Sequence, residues 1–207
     1  MMIAATVWAA SFAQERRYGI ENIILKKNQV MKPRVAVMTQ TIPYTQYIAD
    51  YGRKESAEMV REVQGEQFTL LTMMKDGYVY SANMTLKQVA KINMASMMDD
   101  YTTINFLNLT DEVRQKFQIE EKSNEQFLGK DCKVYEYTVT AQGQTAKGTV
   151  LIWQGLALKT TTTDATGTTI IDEVIEIQEG VAIPNERFEL PEGINFMEIN
   201  PQQSNTN

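Results

Sequence analysis

Glycines at nearly regular intervals constrain the fold of this chain more than any other feature. They form two series with gaps of 12 to 14 residues: Gly52, Gly65 and Gly77, then Gly129, Gly143, Gly155, Gly167 and Gly180. The residues between them are rich in β-branched and aromatic side chains, so each gap has room for one strand of about 8 to 10 residues and a turn. The spacing predicts a meander of long antiparallel strands.

The residues beside three glycines support tight hairpin turns. Asp76-Gly77 is a strong hairpin dipeptide, and Gln142-Gly143 and Gln154-Gly155 place a glycine where a turn needs a positive φ. The stretch LIWQGLALK, residues 151–159, is therefore predicted to be an apolar hairpin that turns at Gly155.

Alternation of side chains assigns faces to the strands. In residues 169–177, Ile171, Ile175 and Ile177 share one face while Asp172 and Glu176 share the other, which predicts a half-buried strand. Residues 132–139 behave likewise, with Tyr135, Tyr137 and Val139 opposite Cys132, Glu136 and Thr138. Residues 68–74 are apolar on both faces, which indicates a strand that is covered on two sides or that faces a ligand.

The middle of the chain, residues 78–128, has no glycine and predicts helical structure. Thr110 is an N-cap followed by two acidic residues in the positive first turn, and Val113 and Phe117 share one helical stripe. A shorter helical turn is predicted over 93–101. Its apolar side consists of Met94, Met97 and Met98. Methionine adapts to irregular apolar ligands, so this segment is interpreted as a lid, with ordinary core packing as the alternative.

Composition excludes several classes of function. The chain contains no histidine, which removes the usual general base, the common metal ligand and every nucleophile–histidine pair. The single cysteine, Cys132, cannot form an internal disulfide or a thiolate metal cluster. A formal net charge of -6 with scattered basic residues is unsuited to nucleic acid. We therefore predict a protein that is not an enzyme, has no metal or cofactor and binds no nucleic acid.

The first residues resemble the end of a secretory signal peptide. Residues 1–13 are uncharged and mostly small or apolar, and Ser11 and Ala13 fit the two specificity positions of a cleavage site before Gln14. The run is too short to span a bilayer, and a buried N-terminal helix is the alternative. We predict a truncated signal peptide over 1–13, one domain over 14–197 and a flexible polar tail over 198–207. The mature chain is expected in the bacterial periplasm or otherwise exported, without a transmembrane segment.

Three motifs of the C-terminal half carry a family resemblance. They are FLGKDCKVYEYTV, KGTVLIWQGLALKT and VAIPNERFELPEGINF, the last with Pro184, Phe188, Pro191 and Gly193. Together they resemble exported bacterial proteins with the outer-membrane lipoprotein-carrier (LolA/LolB-like) fold, including relatives of Bacteroidetes type. With IADYGRKES upstream, the resemblance covers about two thirds of the mature chain.

The resemblance implies a mainly β (α+β) fold, in which a strongly curved antiparallel meander forms an incomplete barrel with a helical lid from the middle of the chain. It implies an apolar ligand, a lipid or the acyl chains of a lipoprotein, on the concave face. The candidate ligand-binding residues are Met74, Met94, Met97, Met98, Phe117 and Trp153. True carriers begin with a long helix, whereas YGIENIILKKN predicts a strand here. The alternative function is a non-catalytic envelope structural or interaction protein with a self-filled core.

Overall fold

A computed structural model describes residues 16–35, 39–63, 65–75, 78–93, 104–141, 144–190 and 192–198. These residues form thirteen strands, one α-helix and two 3₁₀ turns, Asp50–Gly52 and Asn185–Phe188. The strands are β1 (Ile23–Lys32), β2 (Gln40–Ala49), β3 (Lys54–Val63), β4 (Glu66–Lys75), β5 (Tyr78–Asn83), β6 (Gln88–Asn93), β7 (Glu120–Glu121), β8 (Glu125–Phe127), β9 (Lys130–Ala141), β10 (Gln144–Trp153), β11 (Leu156–Thr163), β12 (Thr169–Glu179) and β13 (Asn195–Glu198). The helix is α1 (Asp111–Lys116).

The strands form one long, curved and open sheet. Its order is β13-β6-β5-β4-β3-β2-β1-β12-β11-β10-β9-β7, and β8 also pairs with β9. Among the described strands the pairs are antiparallel, apart from β13, which runs parallel to β6. Two meanders, β1 to β6 and β9 to β12, are joined side by side through β1 and β12. The predicted curved antiparallel meander is confirmed.

Two local predictions, the first strand and the turn at Gly155, are also confirmed. The segment after the signal-like residues forms a strand, β1, as YGIENIILKKN predicts. Gln154 and Gly155 both have positive φ, 51° and 82°, as a two-residue hairpin turn of the favoured twist requires. The turns predicted at 76–77 and 142–143 lie outside the described residues.

Helix α1 is present, but the helical lid is not confirmed. The Thr110 hydroxyl accepts a hydrogen bond of 3.3 Å from the Val113 N–H, as an N-cap does. The helix has only six residues. The turn predicted over 93–101 begins at Asn93, the last residue of β6, and its remaining residues lie outside the part of the chain that the structure describes.

A bulge in β12 corrects the predicted faces of that strand. Lys27 lies opposite Val174 and Lys26 lies opposite Glu176, so Ile175 is the extra residue in the pairing. Asp172 and Val174 are consequently buried, while Ile175 is 49% exposed. The prediction that placed Ile175 on the buried face is wrong. Strand β9 was also predicted to be half-buried, but it is covered on both sides. Cys132 and Tyr135 lie on opposite faces of this strand, and both are buried.

Cross-strand register defines one face of the sheet, here called the inner face. Side chains directly opposite each other in paired strands share a face. One such row is Tyr135, Val150, Thr160, Asp172 and Gln29. A second row is Ile23, Ile48, Glu55, Met74, Val79 and Ile92. The inner face therefore runs from β9 through β1 to β6.

Three apolar clusters pack against the sheet. The central cluster contains Tyr18, Ile23, Leu25, Ile48, Cys132, Val134, Leu151, Leu156, Leu158 and Val174. The cover cluster joins the segment before and after α1 to the inner face of β9 to β11, through Ile104, Phe117, Ile119, Tyr135, Tyr137, Val150 and Ile152. The third cluster lies on the opposite face of β4 to β6, where Leu190 and Ile194 pack on Leu71, Ala82 and Val89. The hairpin LIWQGLALK is therefore mainly core.

Candidate functional site

The six predicted ligand-binding residues are distributed over different parts of the structure. Met74 is half-buried on the inner face of β4. Phe117 is buried in the cover cluster, and Trp153 is half-buried against the central cluster. Met94, Met97 and Met98 lie outside the described residues. The three described side chains do not share a cluster.

The segment of residues 16–22, which precedes β1 and is here called the strap, crosses one end of the sheet. The N–H groups of Arg17 and Tyr18 both donate to the carbonyl of Tyr51, at 2.9 and 3.2 Å. The N–H of Gly19 donates to the carbonyl of Gln154 at 2.9 Å. The strap thus connects the turn between β2 and β3 to the turn between β10 and β11.

Two glycines with positive φ leave space for the strap. At Gly52 a Cβ atom would lie 2.6 Å from the ring of Tyr18. At Gly155 a Cβ atom would lie 2.9 Å from the carbonyl oxygen of Arg17. Both turns therefore need glycine for its backbone conformation and for the close approach of the strap.

The strap inserts one charged side chain into the interior, where it forms a buried ion pair. Arg17 Nη2 lies 2.9 Å from Glu55 Oε2, and the two side chains are 9% and 1% exposed. Glu55 also accepts hydrogen bonds from the Tyr18 hydroxyl at 3.3 Å and from Gln46 Nε2 at 2.6 Å. The Nε–H of Arg17 is buried, and none of the described residues accepts a hydrogen bond from it. This ion pair therefore connects the strap to β2 and β3.

A second buried ion pair lies on the same face, between β1 and β12. Lys27 Nζ is 2.5 Å from Asp172 Oδ1, and the two side chains are 5% and 9% exposed. The Tyr44 hydroxyl donates to the other oxygen of the Asp172 carboxylate. Lys27 Nζ also lies 5.5 Å from the centre of the Tyr44 ring. Together with Arg17, Tyr18, Gln46 and Glu55, these side chains form what we call the polar cluster.

Electrostatics in the polar cluster are governed by burial. Burial raises the pKa of Glu55, against the opposing effects of the Arg17 charge and the hydrogen bond from Gln46. Burial and a neighbouring carboxylate raise the pKa of both Tyr18 and Tyr44, so their hydroxyls stay protonated and act as donors. Two cations and two carboxylates balance within the cluster. Such pairs contribute little net stability but fix geometry, here the positions of the strap and of β12.

Sequence reasoning missed the polar cluster, although one signal was present. Lys27 and Gln29 continue the alternation of Ile23 and Leu25, and all four side chains are buried. A charged residue in the apolar phase of a strand indicates a buried partner. The sequence does not identify that partner.

A pocket lies between the sheet, the cover cluster and the strap. Its floor is formed by Tyr137, Val150, Ala157 and Thr160, and its other walls by Ile104, Phe106, Tyr18 and Gly155. Its volume of about 40 Å³ is small. Sites for drug-sized ligands span about 300 to 1,000 Å³. The pocket is therefore too small for such a ligand in this conformation.

Beyond the polar cluster, one row of side chains on the inner face is apolar. Met74, Val79 and Ile92 lie directly opposite one another on β4, β5 and β6, and all three are partly exposed. Met74, at the start of this row, lies directly opposite Glu55 on β3, so the apolar row adjoins the polar cluster. This part of the inner face combines accessible apolar surface with an adjacent charged group.

Two further features of the described residues bear on function. They contain no group of three or more histidine, cysteine, aspartate or glutamate side chains that could hold a metal ion. None of their helices has the length and apolar character needed to cross a membrane.

Comparison with known proteins relates the chain to others through its fold. No protein-family model and no curated protein matches the sequence. Among solved structures, an uncharacterized conserved protein from Thermus thermophilus matches with a TM-score of 0.54 and 9% identity, over 86% of this chain and 91% of that one. The chain shares its fold. At this identity the likeness concerns the fold alone.

Two other solved structures are more distant. A DUF1329 family protein from Desulfovibrio piger has a TM-score of 0.42 and 12% identity, over 84% of this chain and 91% of that one. A domain assigned to outer membrane lipoprotein sorting, from Vibrio parahaemolyticus, has a TM-score of 0.41 and 13% identity, over 83% and 91%. Both likenesses are too loose to transfer a function.

Proposed function

We propose that this protein is an exported cell-envelope protein that holds a lipid, or the acyl chains of a lipoprotein, on the apolar inner face of its sheet. The observation that carries the proposal is the row of Met74, Val79 and Ile92, which are adjacent, apolar and partly exposed. Contiguous exposed apolar surface is typical of binding sites. A curved sheet suits an elongated ligand, because side chains from several strands converge on one side of it.

The other predicted ligand-binding residues remain part of the proposal. Met94, Met97 and Met98 follow β6, the strand that carries Ile92, and we propose that they line the same site. Phe117 and Trp153 pack in clusters on β9 to β11, so those clusters would have to open before either side chain reached a ligand.

The proposed role is non-catalytic, and the proposed location is the periplasm or another exported compartment. The absence of histidine from the sequence supports the first statement, because it removes the usual general base. The signal-like residues 1–13 support the second.

A specific observation favours the alternative, an envelope structural or interaction protein with a self-filled interior. The pocket beside the strap is about 40 Å³, well below the volume of ligand sites. The polar cluster also occupies interior space that a carrier could use for a ligand. The two functions differ in whether the isolated protein carries or binds an apolar molecule.

Binding of an apolar fluorescent probe, N-phenyl-1-naphthylamine, tests the proposal. We expect Met74→Asp to weaken probe binding at least tenfold, about 1.4 kcal/mol, while unfolding stays cooperative. Val60→Asp is the matched control, because Val60 is exposed on the other face of β3 and should leave binding unchanged. The paired change Met97→Asp and Met98→Asp should resemble Met74→Asp if these residues line the site.

Native mass spectrometry of protein purified from the envelope provides an independent measurement. A mass above that of the mature polypeptide, lost on delipidation, would support the carrier. A protein that carries no added mass and binds no probe would establish the self-filled alternative.

A further inference from the structure

We infer that the strap is a displaceable partition within the ligand site: when docked, its Tyr18 side chain separates the pocket from the apolar inner face, and when displaced it joins the two spaces. The inference rests on the proposed function, because a partition affects a ligand only if the inner face binds one. Its first two tests nevertheless use no ligand.

Tyr18 occupies the boundary between the two spaces. Its side chain forms one wall of the pocket, opposite Val150 and Thr160 on the floor. Its hydroxyl donates to Glu55 at 3.3 Å. Glu55 lies directly opposite Met74, the first residue of the apolar row. Displacement of this side chain would therefore open the pocket on the side of Glu55, next to the row.

The costs of docking are concentrated where the strap binds. Arg17 and Glu55 are both removed from water, and the Nε–H of Arg17 finds no acceptor among the described residues. The turn that accepts the strap holds two non-glycine residues in the left-handed region, Asp50 at φ 52° and Tyr51 at φ 57°. Elements that combine such costs with few buried apolar contacts open before the rest of a domain unfolds.

The strap is held by five backbone hydrogen bonds, by the Arg17–Glu55 ion pair and by one aromatic side chain. Three of the bonds are donated by the strap, from Arg17 and Tyr18 to Tyr51 and from Gly19 to Gln154, and two are accepted by it, at the carbonyls of Glu21 and Asn22. The Tyr18 ring is the buried apolar contribution of the strap to the central cluster, with Ile20 packed beside it. An acyl chain entering from the apolar row would replace this ring. Ligand binding and strap docking would then oppose each other, so each would weaken the other by the same factor.

Hydrogen exchange of the wild-type protein without ligand is the first test. The amides of Arg17, Tyr18 and Gly19 should exchange at least tenfold faster than the slowest amides of β1, because the strap opens locally. Exchange of all three amides at the rate of the β1 amides would overturn the inference, because the strap would then open only when the protein unfolds.

A pair of double variants provides the second test. Replacing the buried pair by Arg17→Met with Glu55→Gln removes both charges and keeps an acceptor for the Tyr18 hydroxyl, so exchange of the Tyr18 and Gly19 amides should slow at least threefold. The matched control is Lys26→Met with Glu176→Gln, which removes an exposed ion pair and should leave those amides unchanged. Equal effects of the two double variants would overturn the inference. If the buried double variant does not fold, Tyr18→Phe replaces it as the test. This variant should speed hydrogen exchange of the Tyr18 and Gly19 amides at least threefold, and an unchanged exchange rate would overturn the inference.

The final test couples the strap to the probe. Saturating N-phenyl-1-naphthylamine should speed exchange of the three strap amides, and Tyr18→Ala should tighten probe binding at least threefold. If the probe binds but strap exchange does not change, the partition is wrong and the proposed function stands. If the strap amides exchange faster than the β1 amides but no probe binds, the proposed function fails and the strap is not part of a ligand site.

Discussion

Lys27 of β1 and Asp172 of β12 form a buried ion pair of 2.5 Å at the junction of the two meanders. The pair lies where strands distant in sequence meet, and the Tyr44 hydroxyl of β2 bonds to the same carboxylate. Because a buried charge is costly without its partner, the pair disfavours arrangements in which these strands are not neighbours.

We predict that removing one member of this pair is much more harmful than removing both. Lys27→Met leaves Asp172 buried without its cation and should lower the free energy of unfolding by about 3 to 5 kcal/mol. Lys27→Met with Asp172→Asn, which removes both charges and keeps an acceptor for the Tyr44 hydroxyl, should return to within about 1 kcal/mol of the wild type. Urea unfolding measures both values. Additive losses in the double variant would contradict this account.

Gly155→Val should destabilise the fold, because Gly155 has a φ of 82° and its Cβ would lie 2.9 Å from the carbonyl oxygen of Arg17. Strain of the turn alone costs about 1 to 3 kcal/mol. Gly180→Val is the control: φ is 64° there, with no atom within 4 Å of the new Cβ. Thermal unfolding should show the larger loss for Gly155→Val, and equal losses would mean that the strap does not crowd the turn.

Stability should depend on pH through Glu55. Burial raises its pKa above 4.5, so the native state binds this proton more readily than the unfolded state. The resulting stabilisation is present below pH 4.5 and is lost as pH rises through the native pKa. The free energy of unfolding of the wild type, measured relative to Glu55→Gln, should therefore fall as pH rises above 4.5. A difference that grows with pH would show that attraction to Arg17 outweighs burial.

Export should remove residues 1–13. N-terminal sequencing of protein recovered from the envelope is expected to begin at Gln14, because Ser11 and Ala13 fit the cleavage site. A mature protein found in the cytoplasm with residues 1–13 retained would contradict the proposed location.

The sequence by itself determined the features that depend on neighbouring residues. The glycine spacing predicted the two meanders, Gln154-Gly155 predicted a hairpin turn, and Thr110 predicted the start of α1. Turn conformation and helix capping are decided within a few residues of chain, so a single sequence is sufficient to predict them. Candidate apolar positions such as Met74 were predictable in the same way, from alternation along one strand.

Only the tertiary structure decided which side chains form the interior of the site. The bulge at Ile175 inserts one residue into the pairing of β12 with β1, and a shift of one residue exchanges the faces of a strand. The partners of Lys27 and Arg17 are Asp172 and Glu55, on strands that local periodicity cannot bring together. A charged residue is stable inside only beside its counter-charge, and the position of that counter-charge is a property of the folded chain.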